Sequence, residues 1–220
     1  MQQDKEIYAL GIGHNTPVSI DLAEACGYKI AGLYHYNDTR IGEIDHGFEI
    51  IGSFDDLFAR ESLEGLNFML TMGDNQIRTQ LLAKILALGG NVPSMIHPTA
   101  VVSRFATISP VGVYISPFVY IQADTVVNQN TIILSNADIS HTCNIGRNCF
   151  IAGSTTIGAY TTIEDNVFVG QGVLTISGKV EKIGENAFLA ARALVTKSVP
   201  ANSRVIGMPG IIIEEKKTIK

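Results

Sequence analysis

Residues 133–163 read ILSNADISHTCNIGRNCFIAGSTTIGAYTTI, and isoleucine recurs at every sixth position: Ile133, Ile139, Ile145, Ile151, Ile157 and Ile163. That period belongs neither to an amphipathic helix nor to a long alternating strand. The frame runs back through Val127, Ile121 and Ile115, takes one extra residue, and continues to Ile108 and Val102. Forward it reaches Val169, takes a two-residue insertion near Ser177 to Lys182, and resumes at Ile183, Leu189 and Val195. The residue four places after each aliphatic is small, as at Thr131, Ala137, Cys143, Cys149, Thr155 and Thr161. A solenoid with three short flat strands per coil explains both phases. Each strand turns one aliphatic inward, and only a small side chain fits at the tight corner beside it. Coils then stack at about 4.8 Å, so like residues form internal ladders.

The same frame reads two of the three cysteines. Cys143 and Cys149 occupy the small inward phase and are expected to be packing residues rather than redox or metal groups. With no CxxC pair and no even framework, the cysteine pattern fits a reducing compartment.

The texture is different over residues 1 to about 96. Strand-like runs EIYALGI, KIAGLYHY, NFMLTMG and VPSMI alternate with PVSIDLAEACGY and NQIRTQLLAKILALGG, whose apolar residues fall three and four apart. The segment between the second and third strands is expected to be a loop followed by a helix. These features predict two domains, a small Rossmann-like α/β unit at 1–96 with a mostly parallel sheet and a β-helix at 97–220.

A net charge of −5 offers no broad basic surface for a nucleic acid. Apolar runs fall short of the ~20 residues that cross a bilayer, and the first residues do not read as a leader, so a cytoplasmic protein without a membrane span is expected.

Candidate site residues follow from the repeat. His141 lies two places after Ile139, in a phase that holds no large aliphatic and so faces outward. One coil to either side stand Ala123 and Ala159, which leave room for a ligand. In the N-terminal unit, Gly11-Ile12-Gly13-His14-Asn15 joins the first strand to a helix, where backbone amides and the helix start can meet a phosphate or simply form a tight turn. Asn37 and Asp38 end the second strand as candidates for a ribose or base, or as a plain turn. Gly73-Asp74-Asn75 ends the third strand as a ligand loop or as a helix N-cap. Arg192, Lys197, Arg204, Lys216 and Lys217 gather near the end as a phosphate site or an ordinary solvated surface. His97 in Ile96-His97-Pro98-Thr99-Ala100 is expected to be structural, and His35 and His46 have no partner pattern.

The hexapeptides with glycine in IGRNC, IGAYT and IGENA, and the ending ALVTKSVPANSRVIGMPG, resemble the left-handed β-helix acyltransferases. With an α/β unit of about 95 residues ahead of them, the chain resembles the nucleotide-sugar N-acetyltransferases and sialic-acid O-acetyltransferase-like proteins. The resemblance implies a left-handed parallel β-helix, acetyl-CoA as co-substrate, no metal, a homotrimer and a nucleotide-linked amino sugar as acceptor. It also implies that His141, in Ile139-Ser140-His141-Thr142-Cys143-Asn144-Ile145-Gly146, is the general base, a task suited to a side chain that titrates near neutral pH. The amide of Ala159 is then the donor to the thioester oxygen. Coenzyme A lies beside the V-x-G-x-P exit, at Gly207 and Pro209, with Arg192 and Lys197 as phosphate partners. Gly11, Gly13, His14, Asn37, Asp38, Gly73, Asp74 and Asn75 would hold the nucleotide-sugar.

Two positions depart from the family pattern. Thr142 replaces the usual acid after the histidine, leaving Asp138 or Asn136 to orient its ring, and Phe150 replaces a second histidine. They leave open a non-catalytic trimeric scaffold, and a sugar O-acetyltransferase stands beside it as the near alternative. A zinc lyase on the same solenoid needs three converging histidines, and the repeat region offers only His97 and His141.

Overall fold

A computed structural model describes residues 5–215, with side chains to residue 211. The chain divides into two compact units, Met1–Met95 and Ile96–Lys220.

In the first unit, β1 (Lys5–Leu10), α1 (Thr16–Ala25) and β2 (Tyr28–His35) form a βαβ start in which β1 and β2 pair in parallel. Pro17 sits in the first turn of α1, where its missing N–H costs nothing, and Gly27 follows the helix end at φ 81°. After a 3-10 turn at Asp38–Arg40 come β3 (Ile44–Asp45), β4 (Phe48–Ser53), α2 (Phe54–Phe58), β5 (Phe68–Leu70) and α3 (Asn75–Ala87). The sheet order is β3-β4-β2-β1-β5, parallel except for the β3–β4 hairpin.

Two expectations are corrected here. The stretch expected as a loop contains β3 and β4, joined by His46-Gly47 with φ 48° and 86°. Two positive φ values make the twist that a two-residue hairpin needs, but His-Gly is a weaker written signal than Asn-Gly. The run VPSMI is not a strand of the α/β sheet. Its last two residues form β6 (Met95–Ile96), the outermost strand of a β-helix sheet.

The second unit is a triangular parallel β-helix. Face one stacks Val101–Val102, Tyr120–Ile121, Asp138–Ile139, Thr156–Ile157, Leu174–Thr175 and Leu194–Val195. Face two runs from Thr107–Ile108 to Lys182–Ile183, and face three from β6 through Phe150–Ile151 to Ile211–Glu215. Ile121, Ile139 and Ile157 pair eighteen residues apart. Val102 pairs with Ile121, and Ile163 with Ile183, which absorbs the one- and two-residue insertions.

Every inward aliphatic from Ile115 to Leu189 is essentially inaccessible, and the small phase is buried throughout. Its threonine hydroxyls donate across the corner, Thr131 Oγ1 to Gly146 O at 2.8 Å and Thr155 Oγ1 to Gly170 O at 3.1 Å. The cysteines do the same with sulfur, Cys143 Sγ to Gly158 O at 3.3 Å and Cys149 Sγ to Glu164 O at 3.2 Å. Burial pushes the Cys143 thiol above its ordinary pKa. Both thiols should therefore resist iodoacetamide in the native protein and react in urea, read by mass spectrometry of the alkylated chain. Rapid native labelling of either would contradict their interior placement.

Candidate functional site

Strand pairing on face one sets a column of outward residues at its corner with face two. Two places after Ile121, Ile139, Ile157, Thr175 and Val195 stand Ala123, His141, Ala159, Ser177 and Lys197. At about 4.8 Å per coil, Lys197 lies roughly 14 Å above His141. The histidine is half-buried, and its Nδ1 lies 3.2 Å from Thr142 Oγ1. Its ring meets Tyr160 nearly perpendicularly, with centroids 5.1 Å apart.

The expected orienting acid is not at the ring. Asp138 sits on the flat strand three residues earlier, where its Oδ1 accepts from Gln122 Nε2 at 3.2 Å. Asn136 is an exposed corner residue at φ 61°. The hydroxyl of Thr142, the departure itself, is the ring's hydrogen-bonding neighbour. The amide of Ala159 donates to Ser177 Oγ at 3.0 Å, so that N–H points to the outer surface of the column.

Phe150 belongs to face three, away from this corner. It stacks on Phe168, and Phe168 on Phe188, with centroids 5.3 and 4.9 Å apart and the Arg204 guanidinium 5.0 Å from the Phe188 centroid. Arg204 thus caps an aromatic ladder. Arg192 is exposed at a corner at φ 58°, and Lys197 is exposed in the histidine column. Gly207, at φ 87°, accepts from Leu194 N at 3.1 Å and closes the last coil beside Pro209. Lys216 and Lys217 lie outside the described residues. His97 Nδ1 accepts from Thr99 N at 3.1 Å, a local corner bond.

In the α/β unit a cavity of about 580 Å³ opens at the C-terminal ends of β1 and β5. Of the sequence candidates, Gly11, Gly13, His14 and Gly73 line it. The two glycine amides are engaged, Gly11 N with Tyr34 O at 3.0 Å and Gly13 N with Thr16 Oγ1 at 2.9 Å. Thr71 Oγ1 donates to Gly11 O at 2.8 Å, so two buried threonines tie the loop down. Gly11 has a φ of 97°, a backbone conformation that favours glycine.

Asp74 is the N-cap of α3, accepting from Gln76 N and Ile77 N at 2.8 and 3.0 Å, and Asn75 Oδ1 accepts from buried Arg78 at 3.0 Å. Asn37 Oδ1 caps the 3-10 turn through Thr39 N at 3.0 Å. These three, with Asp38, are outside the cavity lining. Sequence reasoning missed Tyr36, Phe54, Met72, Gln80 and Lys84, which line it from the ends of β2 and β5 and from α2 and α3. Tyr36 stacks near His35 at 4.3 Å between centroids and is 76% exposed, a ring face held at the mouth.

Among the described residues no group of three or more His, Cys, Asp and Glu is placed to hold a metal ion, and no helix is long and apolar enough to cross a membrane.

The chain thus joins a Rossmann-like unit, with a cavity at its strand ends, to a hexapeptide-repeat prism with a histidine corner. Residues 6–85 match the model of the PglD N-terminal domain. The chain is similar to the acetyltransferase domain of PglB from Neisseria gonorrhoeae, with a TM-score of 0.84 and 24% identity over 95% of this chain and 100% of that one. WeeI from Acinetobacter baumannii gives 0.83 at 19% identity, again over 95% and 100%. A mutant of GDP-perosamine N-acetyl transferase from Caulobacter crescentus, solved with CoA and GDP-perosamine, gives 0.70 at 24% identity over 95% and 97%. The fold shared with these structures is the left-handed parallel β-helix behind an α/β unit. A Schizosaccharomyces pombe protein whose name places it among the acetyltransferases is 43% identical over 47 residues, and the match spans 22% of that relative's length.

Proposed function

We propose that this chain transfers an acetyl group from acetyl-CoA to the amine of a nucleotide-linked amino sugar, as a cytoplasmic homotrimer. The column His141–Ala159–Ser177–Lys197 carries the reading. It aligns a base, an outward N–H and a cation along one corner, matching the thioester-to-phosphate run of coenzyme A. A neighbour of the same fold is an N-acetyl transferase with CoA and a nucleotide-sugar bound.

In the reaction the neutral sugar amine attacks the thioester carbonyl. His141 takes the proton that the nitrogen sheds, through the ring nitrogen that Thr142 does not engage. The carbonyl oxygen becomes an oxyanion, and Ser177 rotating off Ala159 N–H releases a donor for it. Collapse breaks the C–S bond, and the departing thiolate receives the proton from His141. Thr142 offers the imidazole a neutral partner rather than a carboxylate, which suits an amine, already nucleophilic when neutral, better than a hydroxyl. The trimer is supported by Val101, Phe118 and Tyr120, apolar side chains 61%, 64% and 45% exposed on the first coils. A monomer in light scattering would remove it.

The acceptor's nucleotide is assigned to the α/β cavity, with Tyr36 stacking on the base and Lys84 near the phosphates. Release of CoA thiol should follow addition of acetyl-CoA and a nucleotide-linked amino sugar, and should be far slower with its hydroxyl counterpart. Tyr36→Ala should raise the acceptor KM about tenfold while leaving the acetyl-CoA KM unchanged. Turnover with hydroxyl sugars alone would make the protein an O-acetyltransferase, and none with any acceptor would make it a scaffold.

A further inference from the structure

At the corner between faces one and two, one residue of each turn adopts a left-handed backbone: Asp124 (φ 58°), Thr142 (58°), Tyr160 (66°) and Gly178 (68°). Asp, Asn and Gly accept that conformation readily, whereas β-branched and bulky side chains resist it. The corner between faces two and three takes the unstrained solution, asparagine at 130, 148, 166, 186 and 202, with Asn130 Nδ2 donating to Asn148 Oδ1 at 2.9 Å and Asn148 Nδ2 to Asn166 Oδ1 at 3.1 Å. At the corner that carries His141, Thr142 and Tyr160 stand where asparagine would relax the backbone, as Phe118, Ser154 and Arg192 do at the third corner with φ of 59°, 57° and 58°. Backbone strain of this kind persists where another requirement holds the side chain in place.

For Tyr160 that requirement is visible. Its N–H donates to His141 O at 3.3 Å, which sets it one coil above and one residue past the histidine. Its ring then meets the imidazole at 89°. The side chain is 61% exposed, so core packing does not explain an aromatic residue here.

We propose that Tyr160 is a positioning residue that fixes the plane of the His141 ring. The inference rests on His141 being the proton acceptor. Rotation about the bond to a histidine ring has a broad, two-fold profile, so one 3.2 Å contact with Thr142 leaves the ring free to rock and to exchange its two nitrogens. An edge-to-face aromatic contact favours one plane and removes that freedom. The ring nitrogen left unengaged by Thr142 is then the one presented to the acceptor.

Tyr160→Asn and Tyr160→Phe separate positioning from packing. Asparagine relieves the backbone, so its Tm should equal or exceed that of the native chain. Its kcat should nevertheless fall roughly tenfold, with both KM values unchanged, while phenylalanine keeps native kcat. In NMR spectra of the full chain, the His141 ring protons, assigned by their loss in His141→Ala, should shift in Tyr160→Asn as the ring current disappears. Native kcat in Tyr160→Asn, a Tm that falls along with its activity, or unmoved His141 resonances would overturn the proposal. If His141→Ala kept full turnover while the resonances moved as expected, the base assignment would fail and the ring contact would stand.

Discussion

His141→Ala should lower kcat by about 10²–10⁴-fold, the range that a positioned general base contributes. The effect belongs in kcat because the imidazole acts on a proton that becomes acidic only as the C–N bond forms, so ground-state binding of either substrate loses little. Stability should hardly change. The ring is half-buried on an outer corner, its hydrogen-bonding neighbour is the adjacent residue, and the inward neighbours Ile139 and Cys143 keep their places. Tm by calorimetry should therefore stay close to that of the native chain, which separates lost chemistry from lost fold. Native turnover by His141→Ala with an amino-sugar acceptor would remove the base from the mechanism and leave the column as a binding track.

The prism was legible because its physics is written with one letter per strand. An aliphatic every six residues has one geometric solution, and the two insertions near residues 109–113 and 177–182 appear as pairings of nineteen and twenty residues in place of eighteen. The outward phase that singled out His141 came from the same rule. What stayed hidden is what the repeat does not encode. The partner of the ring depends on side-chain reach: Asp138 is close in sequence but points from a flat strand, while Thr142 is turned toward the ring by its left-handed backbone. The corner torsions could have been anticipated from the run of asparagines before the small phase, and Tyr160, with Phe118, Thr142 and Arg192, would then have stood out as a departure from it. In the α/β unit the turn glycines were recoverable because they join a strand to a helix. Tyr36, Gln80 and Lys84 were not, since they converge from a strand end and one face of α3 only after the sheet order β3-β4-β2-β1-β5 is known.

Gly158→Ala should cost about 3 kcal/mol, at the upper end of ordinary overpacking, and lower Tm by roughly 6–12 °C for a chain of this size. The reason is close approach rather than backbone freedom. A Cβ at 158 would lie 2.5 Å from Ser177 N, 2.7 Å from Thr175 O and 2.9 Å from Ser177 Cα, all backbone or backbone-linked atoms that no rotamer change can move. Relief requires prising two coils apart, which stretches the 2.7 Å bond from Gly158 N to Thr175 Oγ1 and the 3.0 Å bond from Ala159 N to Ser177 Oγ. Both bonds lie in or beside the histidine column, so kcat should fall together with Tm, unlike in His141→Ala. Gly178→Asn is the matched control: nothing lies within 4 Å of its Cβ, and its φ of 68° is one that asparagine tolerates. It should keep a Tm within a few degrees of native. If Gly158→Ala proved as stable as Gly178→Asn, the coils would not be packed as closely here as the stacking of faces one and two requires, and the spacing of Ala159 above His141 would fall with it.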